Sequence, residues 1–177
     1  VLKEKYNMHP LTVTWSPHIY TKIGKKNFYN MINNGFDNIL ATPNGKVHRL
    51  LTKLAFINIG HPFQPFIIGQ RVIGPKVAME KKIPLIFYGE NVAEYGNRIE
   101  DNYSPLMDNS LITAFNVDDN ELLLSGAKIG ELKEEYNLSN NDFEAYRSPN
   151  IDDINSLDLQ VHYMSYYKFW RPQASGL

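Results

Sequence analysis

Three short runs of β-branched and aromatic residues, separated by segments of helical period, constrain this chain more than any other feature. The runs are Leu11-Thr-Val-Thr-Trp15, Asp37-Asn-Ile-Leu-Ala-Thr42 and Pro84-Leu-Ile-Phe-Tyr88, and each reads as a strand. Between the first two, Ile23, Phe28, Met31 and Ile32 recur at helical spacing, and Gly35 is a good stop. After the second, Val47, Leu50, Leu51, Leu54 and Ile57 form one apolar helix face that ends at Gly60. Residues 61–66, with two prolines and two phenylalanines, read as a loop, 67–82 as mixed, and 75–82 as helical. Residues 1–7 read as the end of a helix, broken before Pro10 because proline disfavours a helical His9. The order (α)βαβααβ predicts an α/β fold, a parallel sheet with flanking helices.

The pattern weakens after a polar stretch, 97–108, which reads as a loop or linker. Residues 129–136 form a short helix with Leu132 and Tyr136 as an i, i+4 pair, and 137–142 read as a turn into another helical turn. The stretch 157–167 runs into an aromatic cluster, Tyr163, Tyr166, Tyr167, Phe169 and Trp170, first of all a core or a docking face. The expected division is a partial α/β domain over 1–107 and a small, mostly α C-terminal extension over 108–177. The opening Val-Leu-Lys-Glu-Lys-Tyr lacks an initiator Met and a signal pattern, and the aromatic tail is abrupt. Both ends are therefore expected to be cut from a larger protein.

With 177 residues the chain can bury a core without staples. A net charge of −1 argues against a general nucleic-acid or anionic-membrane binder, either of which needs a basic surplus. The absence of cysteine excludes disulfides, thiolate nucleophiles and Cys-rich zinc sites, and fits a cytoplasmic setting. No apolar run reaches bilayer-spanning length, so no membrane insertion is expected.

In a parallel α/β sheet, ligands sit beyond the carboxyl ends of the strands. The three strands end in Thr14-Trp15-Ser16, Thr42-Pro43-Asn44 and Gly89-Glu90-Asn91. If these share one rim they frame a small-molecule pocket; they read equally as ordinary strand-to-loop turns. Gly89 lets a ligand approach the backbone, and Glu90 is a candidate for holding Mg²⁺ or handling a proton, with Glu94 near the same face. Glu90 also suits an acidic residue favoured by a helix dipole. Arg49, beside His48, suits phosphate, or simply a solvated helix face. His9, His18, His61 and His162 show no metal spacing. Neither a GxGxxG fingerprint, a GxxxxGK[ST] loop nor a nucleophile elbow is present.

The strand Leu11-Thr-Val-Thr-Trp15, the segment Thr42-Pro-Asn-Gly-Lys-Val-His-Arg-Leu-Leu51, the run Ile83-Pro-Leu-Ile-Phe-Tyr-Gly-Glu-Asn91 with Glu94-Tyr-Gly96, and the tail Val161-His-Tyr-Met-Ser-Tyr-Tyr-Lys-Phe-Trp170 with Pro172-Gln173 together resemble the N-acetyl sugar amidotransferases. These act in making bacterial surface sugars, including pseudaminic acid on flagellin and lipopolysaccharide O-antigen. The resemblance spans nearly the whole chain. It implies an adenine nucleotide α-hydrolase-like fold of the PP-loop ATP pyrophosphatase type, strand order 3-2-1-4-5. The family's Ser-Gly-Gly-x-Asp-Ser loop would lie ahead of Val1 and is missing here, as are its Cys pairs. The first, central strand would be missing too, so its neighbours would lack a partner and the piece is expected to be inactive alone.

The resemblance further implies ATP and Mg²⁺ as cofactors, a sugar substrate, free or nucleotide-linked, and a glutaminase subunit supplying ammonia. By the same analogy Thr14, Trp15 and Ser16 border the adenine. Gly89 and Glu90 face the phosphates and Mg²⁺, while Asn44, His48, Arg49, Asn91, Glu94 and Tyr95 handle sugar or phosphate. Of these, Glu90, Glu94 and Arg49 are the catalytic candidates, Asn44 is placed with the nucleotide, and His48, Asn91 and Tyr95 with the sugar. Two other readings stand beside this one: a non-catalytic assembly module docking through the aromatic tail, and a PP-loop enzyme with another acceptor. The near-neutral charge weighs against tRNA as that acceptor.

Overall fold

A computed structural model describes residues 2–89 and 104–168. It is mixed α/β, with short strands paired in parallel and many helices. After a first helical turn, α1 (Leu2–Tyr6), strand β1 (Thr12–Trp15) pairs with β2 (Asn38–Ala41), Val13 opposite Ile39. The crossover between them is α2 (Lys22–Asn33), whose start is capped by the Thr21 hydroxyl accepting from the Gly24 N–H. Parallel neighbours require such a crossover. Helix α3 (Gly45–Ile59) begins at the Asn44 cap and ends at Gly60, which takes the left-handed conformation (φ 66°).

Helix α4 (Gln64–Lys81) is longer than the sequence suggests, running where a loop through Phe66 and a helix only from Pro75 were expected. Pro65 falls in the first turn, where no N–H is needed, and Pro75 removes one ladder bond without ending the helix. Strand β3 (Leu85–Tyr88) follows. Further on come α5 (Asn109–Thr113), the hairpin β4 (Leu123–Leu124) and β5 (Ala127–Lys128), α6 (Ile129–Tyr136), α7 (Asn140–Phe143) with a 3-10 turn over Glu144–Tyr146, α8 (Ile151–Ser156), β6 (Gln160–Tyr163) and α9 (Met164–Tyr167).

The chain gathers into two compact units, each drawing on both early and late sequence. The first comprises Val1–Ile73 and Asp118–Tyr146. Its core includes Trp15, Leu51, Ile68, Leu132, Phe143 and Tyr146, all buried. The β4–β5 hairpin turns through Ser125 (φ 61°) and Gly126 (φ 78°), the two left-handed residues that a tight two-residue turn demands. It docks on α3: the Asn58 amide donates to the Ser125 carbonyl, and a Cβ at Gly126 would lie 2.7 Å from the Asn58 Cβ. The second unit comprises Gly74–Val117 and Arg147–Leu177. Here β3 and β6 pair in parallel, Ile86 opposite Val161, over a core of Ala78, Met107, Ile112, Ile154, Leu159 and Tyr163.

The strand β6 falls where the sequence shows an aromatic cluster. Its alternation is plain in the fold, with Val161 and Tyr163 buried and Gln160 exposed. Tyr163 is core, while Tyr166 and Tyr167 are 54% exposed; Phe169 and Trp170 lie outside the described residues. Among the described residues no helix is long and apolar enough to cross a membrane.

Candidate functional site

Because β1 and β2 are parallel and in register at Trp15 and Ala41, their carboxyl ends share one rim. The Ser16 N–H donates to the Ala41 carbonyl and holds the two exits together. Beyond this rim lies a cavity of about 340 Å³, lined by Ser16, Pro17 and His18 after β1, Thr42, Pro43 and Gly45 after β2, and His48, Arg49 and Thr52 on α3. It lies within the first unit. Two of the three expected strand tips therefore meet. The third belongs to the other unit: Gly89 is exposed, and Glu90, Asn91, Glu94 and Tyr95 lie outside the described residues.

The predicted residues have distinct fates. Ser16, His48 and Arg49 line the cavity. Ser16 Oγ sits 2.8 Å from the Tyr20 hydroxyl. Arg49 is exposed. Thr14 and Trp15, expected against adenine, do not line this cavity. Thr14 Oγ1 accepts from the Asn38 amide at 3.0 Å. Trp15 is a core residue, 6% exposed, with its ring laid on Gly69: a Cβ there would fall 2.3 Å from the indole. The parity of the strand sends Trp15 inward and leaves only the following residue, Ser16, for the rim. Asn44 is a helix cap: its Oδ1 accepts from the Lys46 N–H at 3.1 Å, and its amide donates to Asp142 at 3.3 Å.

Beneath the cavity runs a row of rings that the sequence does not announce. His18 Nε2 and His48 Nε2 are 2.8 Å apart, and His48 Nδ1 is 2.8 Å from the Tyr146 hydroxyl. His48 is 8% exposed and Tyr146 1%. Trp15 stands edge-on to both, with ring centres 6.2 and 6.1 Å away. His18 is braced from the other side by Phe63 and Phe66, at 5.7 and 5.0 Å. Burial, and then the charge that His18 can carry, hold the His48 imidazole down at about 4. It is neutral at neutral pH. Burial pushes the Tyr146 phenol above its ordinary range, so it keeps its proton.

His18 was weighed in the sequence only as a metal ligand. Its position directly after a strand, in Ser16-Pro17-His18, is the signal that places it on the rim. Tyr146 lies 98 residues from His48 and carries no comparable signal. Among the described residues no group of three His, Cys, Asp or Glu could hold a metal.

Among the described residues, the lining contains one guanidinium, two imidazoles and three hydroxyl side chains, and no carboxylate. It opens at the first residues of α3, where backbone N–H groups lack helical partners. Such a surface offers donors to the oxygens of an anion. Searches against family models and against curated proteins find no match to the chain.

Proposed function

We propose that this chain is part of an ATP-dependent enzyme that converts a sugar N-acetyl group to an acetamidino group. The observation that carries the reading is the donor-rich cavity beyond the paired ends of β1 and β2. The strand pairings add support. An order 3-2-1-4-5 whose first strand precedes this segment pairs its second strand with its third and its fourth with its fifth. Here β1 pairs with β2, and β3 with β6, both in parallel.

The chemistry needs ATP because an amide oxygen is a poor leaving group. The acetamido oxygen attacks the α-phosphorus, and the bond to pyrophosphate breaks. Ammonia then adds to the imidate carbon, the carbon–oxygen bond to AMP breaks, and the nitrogen loses a proton to leave the amidine. Arg49 and the neighbouring donors would neutralise the charge that builds on phosphate oxygens, the usual main source of rate in phosphate chemistry. The described residues supply no carboxylate cluster for Mg²⁺; Glu90 is its candidate by sequence alone.

The test uses the full-length protein carrying the Ser-Gly-Gly-x-Asp-Ser loop that the resemblance places ahead of Val1. With ATP, ammonium and candidate N-acetyl sugars, pyrophosphate release should accompany an acetamidino product seen by mass spectrometry. Glu90→Gln should lower pyrophosphate release by at least about tenfold with an unchanged circular dichroism spectrum. Unchanged turnover would remove Glu90 from the mechanism, and no product with any sugar would remove the reaction.

A second reading, a non-catalytic assembly module, draws on α2. None of its residues is buried, and Ile23 and Tyr29 are 73% and 59% exposed. That reading requires a bound partner and no ATP consumption in the same assay.

A further inference from the structure

The row of rings beneath the cavity has a direction. Tyr146 is buried, and among the described residues its hydroxyl has one partner, His48 Nδ1. If Nδ1 carried the imidazole proton and donated to Tyr146, the phenol's own proton would be buried with nothing to accept it. Folded proteins avoid that arrangement. The phenol therefore donates, and His48 Nδ1 accepts. A neutral His48 then carries its proton on Nε2 and donates it to His18 Nε2, 2.8 Å away. His18 Nε2 is thereby an acceptor, and a neutral His18 carries its proton on Nδ1. That nitrogen has no partner among the described residues, on a side chain that lines the cavity.

We propose that His18 presents a fixed Nδ1–H donor to a phosphoryl oxygen in the cavity, with its tautomer set by the buried Tyr146 hydroxyl acting through His48. His18 is then a binding residue, and His48 and Tyr146 are positioning residues. The arrangement presents His18 to the cavity as a donor. The ligand class follows from what stands around it. Arg49 shares the cavity, and among the described residues no carboxylate lines it to repel an anion. Phe63 and Phe66 brace the His18 ring and limit its rotation. The proposal rests on the reading above only in taking a phosphorylated ligand as the occupant, and it names how that ligand is held.

Two measurements on the 177-residue chain test it. Nitrogen-15 spectra of the histidine rings report each tautomer directly. The expected pattern at neutral pH is His48 protonated on Nε2 and His18 on Nδ1, with Tyr146→Phe erasing the His18 preference. The opposite tautomers, or a His18 pattern that Tyr146→Phe leaves intact, overturn the proposal. The second measurement is calorimetric titration with inorganic pyrophosphate. His18→Phe should weaken binding by about tenfold or more, the usual cost of losing one hydrogen bond to a charged group. His18→Asn, which keeps a side-chain N–H near the Nδ1 position, should stay within about threefold of the parent. Equal affinity in the Phe variant, or no pyrophosphate binding by the parent, overturns it. Pyrophosphate held through His18, in a full-length protein that makes no amidine, would leave this proposal standing and remove the amidotransferase reading.

Discussion

Acid should destabilise this protein through His48, by an amount the structure sets. The folded imidazole sits at about 4, held down first by burial and then by His18, against an ordinary value of 6.5. The folded value is the lower one. Above about pH 6.5 both states are neutral at this position and His48 contributes no pH dependence. As pH falls from 6.5 towards 4, the unfolded chain binds a proton that the folded chain refuses, and stability is lost. Each pH unit inside that window costs about 1.4 kcal/mol. At pH 5, 1.5 units into the window, the loss is about 2 kcal/mol, and below pH 4 it levels off.

Urea unfolding at pH 7.5 and pH 5.0 measures this. With a denaturant slope of roughly 2 kcal/mol per molar, the midpoint should fall by about 1 M from this group. The informative quantity is the difference between the parent and a variant that lacks His48. His48→Gln, which cannot titrate, should be less stable than the parent at pH 7.5, yet lose about 2 kcal/mol less on going to pH 5.0. The His48 ring resonances should also hold still until below pH 5. The same pH decrement in parent and variant, or a His48 ring that titrates near 6.5, would refute the reasoning.

Two other outcomes follow from close contacts. Gly69→Ala puts a methyl group 2.3 Å from the Trp15 indole, so the ring or helix α4 must move; a loss of about 2 kcal/mol is expected by thermal melting, with a red-shifted tryptophan emission. Asn44→Ala removes the cap of α3, and with it the bond to Asp142, and should cost about 1 kcal/mol in the same melts.

Much of the first unit was legible because its signals are local. Apolar period and Gly60 as a stop place α3 within a few residues, and the β-branched run at Thr12–Trp15 places β1. Helix α4 was misjudged because two prolines outweighed the apolar pattern, although one of them sits where proline costs nothing. Strands β4 and β5 are two residues each, too short for a period to show. β6 was hidden by its tyrosine, which suits a cluster and a strand equally well.

At the site, strand ends pointed to the rim that Ser16 lines, with His48 and Arg49 on the helix that follows β2. They misplaced Trp15, because the last residue of a strand and the first of its loop face opposite ways. The partnership of His48 with Tyr146 is a product of tertiary packing. No spacing in the chain encodes a contact across 98 positions.

That span matters while the protein is being made. A nascent chain that has emerged only as far as residue 117 holds the cavity's wall residues but neither the hairpin at Ser125–Gly126 nor Tyr146. At synthesis rates of roughly 5–20 residues per second, the imidazole beneath the rim waits several seconds for the phenol that orients it. The proposed donor is thus oriented only once residue 146 has emerged, after the residues that line the cavity have left the ribosome.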